Sequence, residues 1–188
     1  MDTETTGFPR HGSTNEPVQI AAILFKNGQE NKTYCRYFMP EAKITKSAKD
    51  THGLSKEKLE EKGATSFTKG ESERLMNFLN EHKEWPIVAH YAKYDREDVL
   101  RPAFEKAGTR KIFPSDGRWR CTFEMAGKSK DLVPDDLPRG LDDLLEHFGY
   151  ERRCEDDKHD ALTDCRCAAK TYMKLAESRL SEGGSSLQ

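Results

Sequence analysis

Asp2 and Glu4 stand two residues apart at the head of the run Asp2-Thr3-Glu4-Thr5-Thr6-Gly7. On an extended strand, side chains at i and i+2 point to the same face. Carboxylates placed side by side repel each other and are costly to desolvate. A bound cation, or a raised pKa on one of them, relieves that cost. Thr5-Thr6-Gly7 reads as the chain leaving the strand in a tight turn, with Gly7 free to adopt φ > 0. Taken alone, the same stretch also reads as a disordered polar terminus. Asp95, His159 and Asp164 change that weighting. Asp95 follows a short apolar strand, Pro86 to His90, and opens a helix. The carboxyl ends of strands in α/β sheets are where ligand sites gather, although Asp95 by itself reads first as a helix N-cap. His159 and Asp164 lie five residues apart at the start of the last helix. A His in the loop before that helix can swing over the point that Asp164 faces; a solitary His there is otherwise a surface residue.

Taken together, Asp2, Glu4, Asp95 and Asp164 offer hard oxygen donors from three separate elements. Such donors suit Mg²⁺ or Mn²⁺ rather than zinc or copper. Carboxylates converging without a cation would be electrostatically untenable, whereas two divalent ions roughly 3.5–4 Å apart would satisfy them. That arrangement suits displacement at phosphorus: one ion orients a water, the other stabilises the leaving 3′ oxygen. Imidazole, with a reference pKa of about 6.5, is the side chain suited to take the water's proton at neutral pH. That makes His159 the candidate base.

The elements that must position these groups follow from the pattern of the chain. Its 188 residues suit one domain with a single core. Thirty-one basic and 33 acidic residues nearly cancel, so no global positive field announces a nucleic-acid partner. No run of 18 apolar residues and no apolar leader follow Met1, so neither a membrane span nor a secretory signal is expected. The five cysteines include no CxxC pair, which argues for free thiols in a cytoplasmic setting and against a zinc site. Val18 to Phe25 is almost continuously apolar, as a strand buried on both faces would be. Asn27-Gly28 marks a hairpin, with a loop from Asn27 to Lys32 and a returning strand from Thr33 to Met39. Residues 40 to 68 are irregular, apart from a short helix at Lys56–Glu61 that Ser55 could cap. Helical periodicity marks Gly70–His82, Asp95–Ala107, Pro138–Gly149 and Asp160–Arg179, and Trp119–Cys121 reads as a further strand. Residues 179–188 read as a flexible polar tail behind a domain spanning 1–178. An antiparallel opening followed by strand–helix alternation predicts a mixed α/β sheet flanked by helices.

Three stretches, Asp2 to Gly7, His90-Tyr91-Ala92-Lys93-Tyr94-Asp95 and His159 with Asp164, resemble in order and spacing the exonuclease motifs of the DEDDh 3′–5′ exonucleases. The resemblance is to the DnaQ-like group, which includes the proofreading epsilon subunit of bacterial DNA polymerase III. Thr51-His52-Gly53-Leu54, Cys121-Thr122 and Leu141-Asp142-Asp143-Leu144 resemble secondary features of the same family. The resemblance implies an RNase H-like fold: a five-stranded mixed sheet of order 3-2-1-4-5 with strand 2 antiparallel. It implies that Asp2, Glu4, Asp95 and Asp164 hold two Mg²⁺ or Mn²⁺ ions, and that His159 is the general base. It places Thr5, Thr6, His52 and Leu54 near the terminal nucleotide. Two departures stand out. Family members carry four to six apolar residues before the first Asp, where this chain has only Met1, so its first strand is expected to be cut to a stub. Tyr91 also stands where the family usually has Asn.

The implied activity is release of nucleoside monophosphates from a 3′ end, single-stranded DNA ahead of RNA, with a DNA polymerase subunit as a candidate partner. An RNA-directed exonuclease of the same superfamily and a non-catalytic nucleic-acid- or polymerase-binding module are the alternatives. Lys93, Arg96, Arg101, Arg118, Arg120, Arg152 and Arg153 flank the motifs and are candidate phosphate contacts.

Overall fold

The computed structural model describes residues 1–8, 15–129, 131–151 and 159–183, with side chains described as far as Glu177. Strands β1 (Asp2–Thr5), β2 (Pro17–Lys26) and β3 (Gln29–Tyr37) form an antiparallel ladder with β2 in the middle. Helices α1 (Lys46–His52), α2 (Lys56–Glu61) and α3 (Lys69–Leu79) lead to β4 (Ile87–Ala89). A π-helical stretch, Tyr94–Leu100, runs straight into α4 (Arg101–Lys106), and β5 (Trp119–Cys121) then pairs parallel with β4. The chain closes with α5 (Thr122–Lys128), α6 (Leu141–His147) and α7 (Ala161–Gly183). This is the expected mixed α/β architecture. Among the described residues no helix is long and apolar enough to cross a membrane.

β2 is apolar on both faces because both faces are covered. Ile20 and Ala22 pack with Leu75, Leu100 and Phe104 on one side, while Ala21 meets Ala161 and Cys165 of α7 on the other. The turn after β2 is tighter than the sequence suggests. Asn27 and Gly28 both take positive φ, and Lys26 pairs directly with Gln29. That is the two-residue turn whose twist matches the flanking strands, so β3 begins four residues earlier than expected. α2 has its expected bounds and the Ser55 cap. α1 was not anticipated, although Thr45 caps its start and left-handed Gly53 ends it, as capping chemistry allows. At the other end of the chain, α7 continues to Gly183, into the stretch read as a tail; residues 184–188 lie outside the described residues.

The five expected strands are all present, but they form two ladders, β3-β2-β1 and β4-β5. β1 covers β2 only from Pro17 to Ala21. Between the ladders, the Met1 ammonium donates to the Val88 carbonyl at 2.5 Å. Beside this bond lies an apolar cavity of about 430 Å³ whose walls include Met1, Ile23, Phe25, Ile87, Phe78 and Tyr172. α7 lies across the division and packs on β1, β2 and β4.

Candidate active site

β1 ends in the turn that the motif requires. Gly7 has φ +133°, and a Cβ there would come within 2.6 Å of Thr45 Oγ1, so the residue must be glycine. Thr5 and Thr6 are both buried. Thr5 Oγ1 shares a 2.8 Å hydrogen bond with the Tyr94 hydroxyl, and Thr6 Oγ1 accepts from the Glu16 amide. His52 Nδ1 accepts the Leu54 amide, which leaves the proton on Nε2 to be donated to the Thr5 carbonyl at 2.9 Å. Burial, opposed by that bond, keeps the His52 imidazole below its ordinary pKa. Leu54 is buried with Val18 and Leu59. Of the residues proposed to lie near a terminal nucleotide, His52 is tied to the end of β1, while Leu54 packs against β2 and α2.

Asp95 is not a helix cap. It sits in the first turn of the π-helical stretch, is 2% exposed, and accepts a 2.7 Å hydrogen bond from Thr3 Oγ1. The wide turn ends where Pro102, which lacks an N–H, enters α4. Burial raises the Asp95 carboxyl to about 7, against the Thr3 bond and the Met1 ammonium. Burial also pushes Asp2 well above the usual carboxylate range, with further contributions from Asp95, Asp164 and Glu4. Asp2 therefore lies close enough to Asp95, Asp164 and Glu4 to feel their charge. Ligand atoms of Glu4, His159 and Asp164 all lie within 4.8 Å of one another. Glu4 and Asp164 are buried, while His159 is exposed and holds a left-handed backbone, φ +57°. Raised carboxylate pKa values are the mark of a cluster lacking countercharge, and its all-oxygen carboxylate set fits hard divalent cations.

One residue that composition alone concealed holds this geometry. Gln19, 1% exposed in the apolar β2, donates from Nε2 to Asp160 Oδ1 at 2.8 Å and accepts the Ala161 amide on Oε1. Asp160 in turn caps α7 through the Thr163 amide. Gln19 therefore fixes the start of the helix that carries Asp164, next to His159. The signal was a lone amide in a buried apolar run, since a buried polar group needs a partner. Gln19→Leu is expected to destabilise the protein by about 1–3 kcal/mol and to lower kcat more than it changes KM; urea melts and steady-state kinetics would check both.

The candidate phosphate-binding arginines are largely occupied elsewhere. Arg96 pairs with Glu97, and Arg101 with Glu97 and Asp116. Arg118 donates to Asn80 Oδ1 and to the Leu79 carbonyl at the end of α3, and Arg120 donates to two backbone carbonyls. Lys93 is exposed, and Arg152 and Arg153 lie outside the described residues. Among the described residues Cys35, Cys121, Cys165 and Cys167 form no disulfide, and burial raises Cys165, which donates to the Ala21 carbonyl, to about 12.

The chain is similar to known nucleases and polymerases. Residues 1–172 match the family model for the RNase_T exonuclease domain. The DNA polymerase III PolC-type proteins of Thermotoga maritima and Thermotoga petrophila are each 25% identical over 177 residues; the match covers 94% of this chain but only 12% of theirs. Among solved structures, the nuclease domain of 3′hExo, a DEDDh family member bound to rAMP, has a TM-score of 0.75 at 15% identity, covering 94% of this chain and 90% of that one. Exonuclease I of E. coli, in complex with a dT13 oligonucleotide, has a TM-score of 0.71 at 18% identity, covering 96% and 41%. Exonuclease X with 5′-overhanging duplex DNA has a TM-score of 0.62 at 18% identity, covering 94% and 89%. With an exonuclease family model matched over almost its whole length, the chain belongs to the RNase_T exonuclease family.

Proposed function

We propose that this chain removes nucleoside monophosphates from the 3′ ends of DNA, single strands first, with His159 as general base. The observation that carries this reading is the convergence of Glu4, His159 and Asp164 within 4.8 Å. Asp2, Glu4, Asp95 and Asp164 would hold two Mg²⁺ or Mn²⁺ ions, which when bound supply water activation and stabilise the leaving 3′ oxygen. Glu4 and Asp95 are buried and approach from different elements, so they present fixed oxygen donors. His159 stands at the exposed edge of the same cluster, where an imidazole can take a proton from water and release it to solvent. Thr5, Thr6, His52 and Leu54 would lie near the terminal nucleotide. The preference for DNA, and a DNA polymerase as partner, rest on the two PolC-type relatives. A cytoplasmic setting rests on the free thiols.

The test is degradation of 5′-labelled single-stranded DNA and RNA of the same sequence, with Mg²⁺, Mn²⁺ or EDTA, beside Asp164→Ala and His159→Ala. We expect a ladder shortened from the 3′ end on DNA, absent with EDTA and with Asp164→Ala, and much fainter with His159→Ala. A ladder on RNA alone would move the assignment to an exoribonuclease. Binding of either strand without cleavage would make the chain a binding module.

A further inference from the structure

We propose that Tyr91, Phe123 and Arg139 form a stacking platform for a nucleobase on the 5′ side of the scissile linkage. The proposal rests on the exonuclease reading above. Tyr91 follows β4 by two residues, four before Asp95, and is 52% exposed; among the described residues only Phe8 and Ile112 join it as exposed large hydrophobic side chains. One face of its ring is covered. It stacks on Phe123, in the first turn of α5, with ring centroids 4.1 Å apart and planes 26° from parallel. The Arg139 guanidinium lies 4.7 Å over the Phe123 ring, and two groups this near cannot share one face, so the order is Arg139, Phe123, Tyr91. Gly127 makes room for this packing, since a Cβ there would collide with the Arg139 guanidinium.

The platform is also held from the side. His90 meets the edge of Tyr91 at 5.2 Å and of Phe123 at 6.0 Å, both near a right angle, and its Nδ1 is tied to Thr122 Oγ1 at 2.8 Å. Tyr91 keeps a left-handed backbone, φ +57°, a conformation that side-chain-bearing residues adopt only when their surroundings insist on it. A strained, half-exposed aromatic ring, backed by a second ring and a cation, is a poor use of a surface position unless a planar group covers it. In a protein acting on nucleic acid, that group is a base, which stacks on aromatic side chains regardless of sequence. The platform follows the carboxyl ends of the paired strands β4 and β5, and Tyr91 is four residues before Asp95. A strand whose scissile phosphate lies at the carboxylates would therefore reach it with an upstream base.

The test uses the full chain in two arms. In the first, Asp164→Ala protein binds a labelled thymidine oligonucleotide and its abasic counterpart, with and without Tyr91→Ala or Tyr91→Phe. Tyr91→Ala should weaken binding of the base-bearing strand roughly 5- to 100-fold, leave the abasic strand unchanged, and be rescued by Tyr91→Phe. In the second, the active enzyme is compared on the oligonucleotide and on the p-nitrophenyl ester of thymidine 5′-monophosphate, which has no upstream base. Tyr91→Ala should raise KM on the oligonucleotide and leave the ester untouched. Equal losses on base-bearing and abasic strands, or no loss on either, would overturn the platform. Failure of the unsubstituted chain to cleave either substrate would instead count against the exonuclease reading, and the binding arm would still decide the platform.

Discussion

Asp95→Asn is expected to lower nucleolytic turnover by ~10³-fold or more while raising the melting temperature of the metal-free protein. Both effects have one cause. Asp95 is buried, and burial holds its carboxyl at about 7. Around neutral pH the folded chain without cations therefore carries an unfavourable charge close to Asp2. An asparagine removes that charge while its Oδ1 can still accept the Thr3 hydroxyl now bonded to Asp95. The fold gains by no longer burying a carboxylate charge, at about 2–4 °C per kcal/mol for a chain of this size, and the chemistry loses a charged oxygen donor. Thermal melts in EDTA beside cleavage rates in Mg²⁺ would show the two effects with opposite signs. A variant that lost stability along with activity would mean that Asp95 serves the fold first.

The second large effect is a stabilisation by divalent cation that grows with pH. Asp2 and Asp95 both have carboxyls raised by burial in the folded chain. A carboxyl raised on folding favours the folded state at low pH, because the native chain then binds the proton more tightly. That contribution is lost as pH climbs from the ordinary carboxylate range, near 4, through the folded value, about 7 for Asp95. The metal-free protein should thus melt progressively lower between about pH 4 and pH 7, and Mg²⁺ or Mn²⁺ should restore the loss. At a free cation concentration ~100 times Kd, the gain is about 2.7 kcal/mol, or roughly 5–10 °C. Melting curves in EDTA and in Mn²⁺ across that range would check it; a cation effect independent of pH would place the ions away from Asp2 and Asp95.

Much of the fold was legible because the relevant signals are local. The apolar run of β2, the Ser55 cap of α2 and the brief strand at Trp119 depend on neighbours in sequence, and the structure places them where the pattern did. α1 was hidden because its one buried residue, Ala48, leaves little apolar stripe, and only the caps betray it. The carboxylates were legible as candidate metal ligands from their type and spacing in the sequence. Their supports were not. Thr3 reaches Asp95 across 92 residues and Gln19 reaches Asp160 across 141, and no local periodicity records such partners. Arg118 read as a phosphate contact because charge near a motif suggests a ligand, yet its guanidinium fits the carbonyls at the end of α3. Tyr91 stood out only as a mismatch to a family pattern; its stack on Phe123 needs the parallel pairing of β4 and β5.

The division between the two ladders makes the proposed site a joint. Asp2 and Glu4 belong to one half, Asp95 follows a strand of the other, and Asp164 rides on the helix laid across both. The Met1 ammonium and the Thr3 hydroxyl are two hydrogen bonds seen bridging the halves at this point. Their alignment is a mechanical variable, one that α7 sets as a splint sets a fracture. Small sliding of that splint, from a changed side chain well away from the carboxylates, would spoil the registration of the donors while leaving each half intact. Such a protein would be soundly folded and slow, its fault invisible to any measurement of stability.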